Sequence, residues 1–174
     1  GGADKIVASW DFETYENTPF SIKTNSAILT IQTIMQDKYL LVGLFNGNFH
    51  IIDIETKQEV KFIPFHKSGL FACTYIEDKN ILVLGSGDGT YSIWNCDDFS
   101  LLNKGKLSNS KIRTIVSEGN EVYIGTTEGN IIRIKLDDFS VDRLMNLPDN
   151  GINSLVFLPQ KKVWLAASKN AHVI

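Results

Sequence analysis

A strand–turn–strand pattern that recurs along the whole chain limits its possible folds more than any other feature. The clearest copy is residues 81–95, ILVLGSGDGTYSIWN. ILVL is a short apolar run, and TYSIW alternates small or polar side chains with large ones. Between them Gly87-Asp88-Gly89 supplies residues that accept a tight hairpin at low cost. Asp88 stands six residues before Trp94, Asp4 six before Trp10, Asn46 six before Ile52 and Glu128 six before Ile134. With Asn170, which follows the similar apolar run VWLAAS, these turn positions are spaced by 42, 42, 40 and 42 residues. An all-strand repeat of that length predicts the four-stranded antiparallel blades of a β-propeller, not a helical solenoid.

Taken in order, the pattern divides the chain into a half blade at 1–25, blades at 26–67, 68–109 and 110–149, and a partial blade at 150–174. The word DDFS occurs at 97–100 and again at 137–140, each time between a third and a fourth strand. Aspartate at such a place bonds its own backbone, so these acid pairs are expected in turns and not in catalysis. The glycines of GSGDG lead into a strand, whereas a phosphate-cradling loop opens a helix, so the segment is expected to be a hairpin.

Two repeats carry further detail. Trp10-Asp11 and Trp94-Asn95 close third strands, a turn aspartate precedes each tryptophan, and His66 lies one half-repeat ahead of Asp88. In these features the chain resembles the WD-repeat β-propeller family over nearly all of its 174 residues. Ile52-Asp53 and Ile134-Lys135 depart from the family's dipeptide. The resemblance implies that His66, Ser86, Asp88 and Trp94, with Asp4 and Trp10 in the half blade, form a structural polar network around buried indoles. A buried indole N–H left without an acceptor costs about 1 to 3 kcal/mol. The resemblance also implies a seven-blade ring, of which this chain is expected to be a segment, with a closed four-blade ring or an assembly of two such chains as the alternatives. In an incomplete ring the open blade edges are expected to self-associate.

Composition narrows the function classes. A formal charge of −3 and one short, interrupted basic cluster (Lys104, Lys106, Lys111, Arg113) argue against a nucleic-acid partner. No apolar run approaches the roughly 18 residues that span a membrane. Cys73 and Cys96 offer no disulfide framework and fit buried thiols in the cytoplasm. Together with His50 and His172 they have no zinc-like spacing, so no metal and no cofactor is expected.

Differences between repeats point to the binding face. Ile28, Leu70, Ile112 and Ile152 keep one apolar column at the start of the first strands, while the next residues, Leu29, Phe71, Arg113 and Asn153, differ. Successive side chains on a strand face opposite ways, so a uniform column packs a repeated interface and a variable one is free to recognise something. Leu29, Phe71, Arg113 and Asn153, with Phe45 and Lys169 on the hairpin turns, are the candidate partner-binding residues. The expected function is a non-enzymatic scaffold that binds a protein or peptide through the propeller rim and channel mouth. The alternative is a small-ligand-binding or enzymatic propeller using the central channel of a complete ring, for which only Arg113 and Asn153 offer converging polar groups.

Overall fold

The structure, a computed structural model, describes residues 2–147 and 151–168. The chain forms two compact units, residues 1–70 and 71–174. In the first, β1 (Ile6–Trp10) and β2 (Asn17–Lys23) form a two-stranded antiparallel sheet. The strands β3 (Ile28–Ile34), β4 (Tyr39–Leu44), β5 (Asn48–Asp53) and β6 (Glu59–Pro64) form a four-stranded sheet in chain order. Val7, Ile28, Leu40, Val42, Leu44 and Ile52 make its core, with Phe20, Ile22 and Ile54 packed against them.

In the second unit β7 (Leu70–Ile76), whose first residue closes the first unit, joins β8 (Ile81–Ser86), β9 (Thr90–Asn95) and β10 (Leu101–Lys106) in one antiparallel sheet. The next sheet comprises β11 (Ile112–Glu118), β12 (Glu121–Thr126), β13 (Asn130–Lys135) and β14 (Val141–Asn146). β15 (Ile152–Leu158) pairs with β16 (Val163–Ser168). Residues 170–174, expected to enter another third strand, lie outside the described residues, as do 148–150. Among the described residues the helical content is one 3-10 turn, Glu77–Lys79, and no helix is long and apolar enough to cross a membrane. Among the described residues the fold is all-β, with three four-stranded and two two-stranded antiparallel sheets, consistent with partial propeller blades.

Burial follows position in the sheet. In each four-stranded sheet the second and third strands are central and mostly buried on both faces, while the fourth, at the edge, is largely exposed. The small–large alternation of TYSIW predicts a half-buried strand, yet Tyr91, Ser92, Ile93 and Trp94 are all buried. A central strand has neighbours on both sides, and the two small hydroxyl-bearing positions leave room for the large ones. The hairpin before it needs one glycine in the left-handed region, not two. Gly89 has φ +78°, matched by Gly47 and Gly129 in the neighbouring repeats, while Gly87 takes an ordinary conformation. Asp88 Oδ1 closes that turn by accepting hydrogen bonds from Thr90 N at 3.1 Å and Thr90 Oγ1 at 2.6 Å.

The sheets meet where a glycine leaves a gap. A Cβ on Gly85 of β8 would fall 2.3 Å from Ile112 Cγ2, and one on Gly125 of β12 would fall 2.5 Å from Ile152 Cγ2. In the first unit, a Cβ on Gly43 of β4 would lie 3.2 Å from Leu70 Cβ. Ile112 and Ile152 thus sit on the bare backbone of the preceding repeat's second strand. A large core cluster grows around the Gly85 contact, with Ala72, Val83 and Ile93 on one sheet and Ile115, Val122, Ile124 and Ile134 on the other. Replacing Gly85 with Ala is expected to overpack this contact and cost about 1 to 3 kcal/mol in urea unfolding. Adding Ile112→Ala should make the double variant less destabilised than the sum of the single variants. Strictly additive costs would show that the contact does not set the spacing between sheets.

Candidate binding face and polar network

The variable column has a backbone origin. In β3 Ile28 pairs with Leu44 and Thr30 with Gly43, so Leu29 has no residue opposite it. Arg113 is skipped in the same way between Ile112–Thr126 and Thr114–Gly125, and Asn153 between Ile152–Ser168 and Ser154–Ala167. These are β-bulges, which leave one residue out of the ladder and re-aim its side chain. The uniform partners Ile28, Leu70, Ile112 and Ile152 are buried. Leu29 and Phe71 are half-buried, and Arg113 and Asn153 are exposed.

Some of the candidates are brought together. Arg113 lies over the Phe71 ring at 5.4 Å, and Lys111 Nζ lies over the same ring at 5.0 Å. An arginine over an aromatic ring combines residue types enriched at interfaces, and Lys111 adds a second cation–π contact. In the first unit, Leu29 Cδ1 and the Phe45 carbonyl both crowd the bare Cα of Gly69, at 2.6 and 3.0 Å from where a Cβ would stand. Phe45 is 61% exposed there, although its backbone is fixed by donation from its N–H to the Ala27 carbonyl at 2.8 Å. Asn153 is not joined to either group by a described contact, and Lys169 lies outside the described residues. Lys111, absent from the candidate column, is the addition; it immediately precedes Ile112 in the sequence.

The polar groups around Trp94 have their own arrangement. Trp94 is buried, and its Nε1–H donates to Ser92 Oγ at 2.8 Å. Ser92 stands two residues earlier on the same strand face and opposite Leu84, so it supplies a hydroxyl that Leu84 does not. Ser86 and His66 are buried polar residues, and neither they nor Asp88 are without partners.

Sequence comparison bears on what these repeats are. Over 108 residues the chain is 28% identical to a protein described as Protein LST8 homolog from Drosophila melanogaster, covering 58% of this chain and 34% of that protein. It is 26% identical over 102 residues to WD repeat-containing protein 55 of Arabidopsis thaliana, covering 56% of this chain and 29% of that one. The chain is a distant homologue of WD-repeat proteins. It spans about a third of the length of these curated relatives. No family model matches it.

The half blade differs from the Trp94 repeat in the exposure of its tryptophan. Trp10 is 60% exposed, at the end of β1 beside an irregularity in its pairing with β2. An indole largely in water needs no buried acceptor, and among the described residues no hydrogen bond joins Asp4 to Trp10. Asp4 Oδ1 instead accepts from the Ile6 N–H at 3.3 Å. The third blade, which lacks the tryptophan, has a different polar set. Asn130 accepts from Asn146 Nδ2 at 2.6 Å, and its N–H donates to the buried Thr126 Oγ1 at 3.2 Å. On the same sheet Arg133 bridges Glu121 at 3.1 Å and Asp142 at 2.7 Å. The bond to Asp142 raises the Arg133 pKa further, fixing its charge.

Turn acids behave as turn acids. Asp138 Oδ1 accepts from Ser140 N at 2.9 Å, and the Ser140 hydroxyl and amide hold its pKa below the usual value. Asp98 makes the same bond to Ser100 at 2.9 Å. His50 Nδ1 meets the Glu59 carboxylate, and its ring lies 4.8 Å from Phe62. Among the described residues no three of His, Cys, Asp and Glu gather as a metal site. Burial, then the charge of Asp97, pushes the Cys96 thiol up to about 12.

Two measurements follow. Ser92→Ala removes the indole's acceptor and should cost about 1 to 3 kcal/mol, shrinking when Trp94 is already Phe; an unchanged cost in the Trp94→Phe background would exclude the bond as its source. For Cys96 the folded chain holds the proton more tightly than the unfolded chain. Its contribution to stability is therefore complete below the unfolded thiol's pKa and is lost as pH rises toward 12. The difference in urea midpoint between the parent and Cys96→Ala should shift against the parent over that window, and a constant difference would contradict the burial.

Proposed function

We propose that this chain is part of a non-enzymatic WD-repeat scaffold that holds a protein or peptide partner on its bulged first-strand ends. The observation that carries the reading is the Phe71 ring with Lys111 and Arg113 placed over it, next to an exposed bulge. Leu29, Phe45 and Asn153, with Lys169, complete the proposed partner-binding set. An aromatic ring and a guanidinium provide large contact area and directional hydrogen bonding at low ordering cost, which suits recognition of another protein. A relative described as a WD repeat-containing protein agrees with a scaffold role, and the fold alone would not decide it. We place the chain within a longer propeller, with blades at 26–67, 68–109 and 110–149, in the cytoplasm. Coverage of only 34% and 29% of the relatives supports the longer propeller.

The test is affinity purification of the full-length protein from its own cells, comparing the parent with Phe71→Ala combined with Arg113→Glu. At least one stoichiometric protein partner should fall about tenfold or more, with an unchanged thermal melting curve. A control, Lys161→Glu in the turn after β15, should retain that partner. Equal recovery from all three forms would reject the bulged face as the binding surface.

A further inference from the structure

Away from the bulges, the fourth strands of the two complete sheets of the second unit flank a groove. The groove, of about 300 Å³, is lined by Tyr91, Gly105, Lys106, Leu107, Ile132, Val141 and Arg143. Its walls are the edge strands β10 and β14, the last strands of their sheets. Gly105 allows the Tyr91 ring to lie across β10, since a Cβ there would be 2.7 Å from Tyr91 Cε1. The Tyr91 hydroxyl is held by Asn103 Oδ1 at 2.7 Å, which fixes the ring as part of the floor. Leu107 and the buried Ile132 also line the groove, and Val141 is nearly half exposed.

The charges in this groove are one-sided. Lys106 and Arg143 both line it, no acidic residue does, and neither cation has an ion-pair partner among the described residues. Asp142, the acid nearest Arg143 in sequence, is bonded to Arg133 at 2.7 Å. In a chain of net charge −3, two uncompensated cations at an apolar floor mark a local preference and not a general basic field. Edge strands also present unpaired backbone groups that an extended chain can bond.

We propose that this groove docks an extended segment of a partner protein in which aspartate or glutamate alternates with aliphatic residues. The aliphatic side chains lie on Tyr91, Ile132 and Val141, and the carboxylates meet Lys106 and Arg143. Alternation puts the aliphatic side chains on the face of the segment that enters the groove and the carboxylates on the other face, to be met by the long, exposed Lys106 and Arg143 side chains, while the backbone runs along an edge. A groove of this size is at the small end of ligand sites, enough for a few side chains and not for a folded domain.

The probe is a fluorescein-labelled octapeptide of alternating Asp and Val, titrated with the full-length protein by fluorescence polarisation. Saturable binding is expected, weakened tenfold or more by Lys106→Glu with Arg143→Glu and also by Lys106→Ala with Arg143→Ala. Both residues lie on edge strands, and melting curves report whether each variant is folded. Lys161→Glu with Lys162→Glu should leave binding unchanged, as should Phe71→Ala with Arg113→Glu, which separates this surface from the bulged face. A Ser/Val peptide should bind at least tenfold more weakly. The proposal is overturned by no saturable binding, by equal affinity for the Ser/Val peptide, or by equal loss in the Lys161/Lys162 variant. Displacement by an equimolar amount of inorganic phosphate would likewise overturn it, reassigning the groove to small anions.

Discussion

Everything else in this structure depends on an aliphatic side chain resting on a glycine. Ile112 against Gly85 and Ile152 against Gly125 are the same contact made twice, with distances that leave no room for a methyl group. Dispersion between close-packed atoms falls off steeply with a gap of half an ångström or more, so the bare backbone permits a fit that any larger residue would forbid. Once the first strand is seated, the rest of each core follows: apolar residues on β8 and β9 meet those on β11, β12 and β13. The polar features, including the Trp94–Ser92 bond and the Asp88 turn, are organised around that packing and do not replace it.

Much of the fold was legible in the spacing of the turns, because a hairpin signal returning at nearly constant intervals has few all-β solutions. The uniform column was legible for a related reason: a residue that meets the same surface in every repeat has little freedom in size or polarity. Two things escaped. The glycine beneath the column, Gly43, Gly85 and Gly125, recurs in the sequence just as regularly, but a glycine in a strand is easily taken for a bend or a weakness, when here it is a seat. The bulges were invisible because skipping Leu29, Arg113 or Asn153 changes no loop length and no apolar count.

The polar expectations show where a repeat argument transfers and where it does not. Trp94 is buried and finds an acceptor, but in Ser92, which its own strand supplies. That was readable from TYSIW, since residues two apart share a face. Trp10 occupies the corresponding place in register yet stands largely in water, because burial belongs to the sheet a residue sits in and not to its repeat position. β1 has only β2 beside it among the described strands. Lys111 escaped for the opposite reason: it reaches Phe71 through tertiary approach of two first strands, a relation that no single repeat contains.

The bulge separates two kinds of change that strands normally couple. A residue inside a ladder contributes backbone bonds and a packed side chain at once, so altering one disturbs the other. Leu29, Arg113 and Asn153 have no opposite residue to satisfy, and the neighbouring column already holds the sheets together. Copies of one ancestral blade can therefore diverge at this position one residue at a time, from aliphatic to cationic to amide, without any of them ceasing to be a blade. A repetitive architecture built this way can acquire an asymmetric surface while every interface beneath it stays the same.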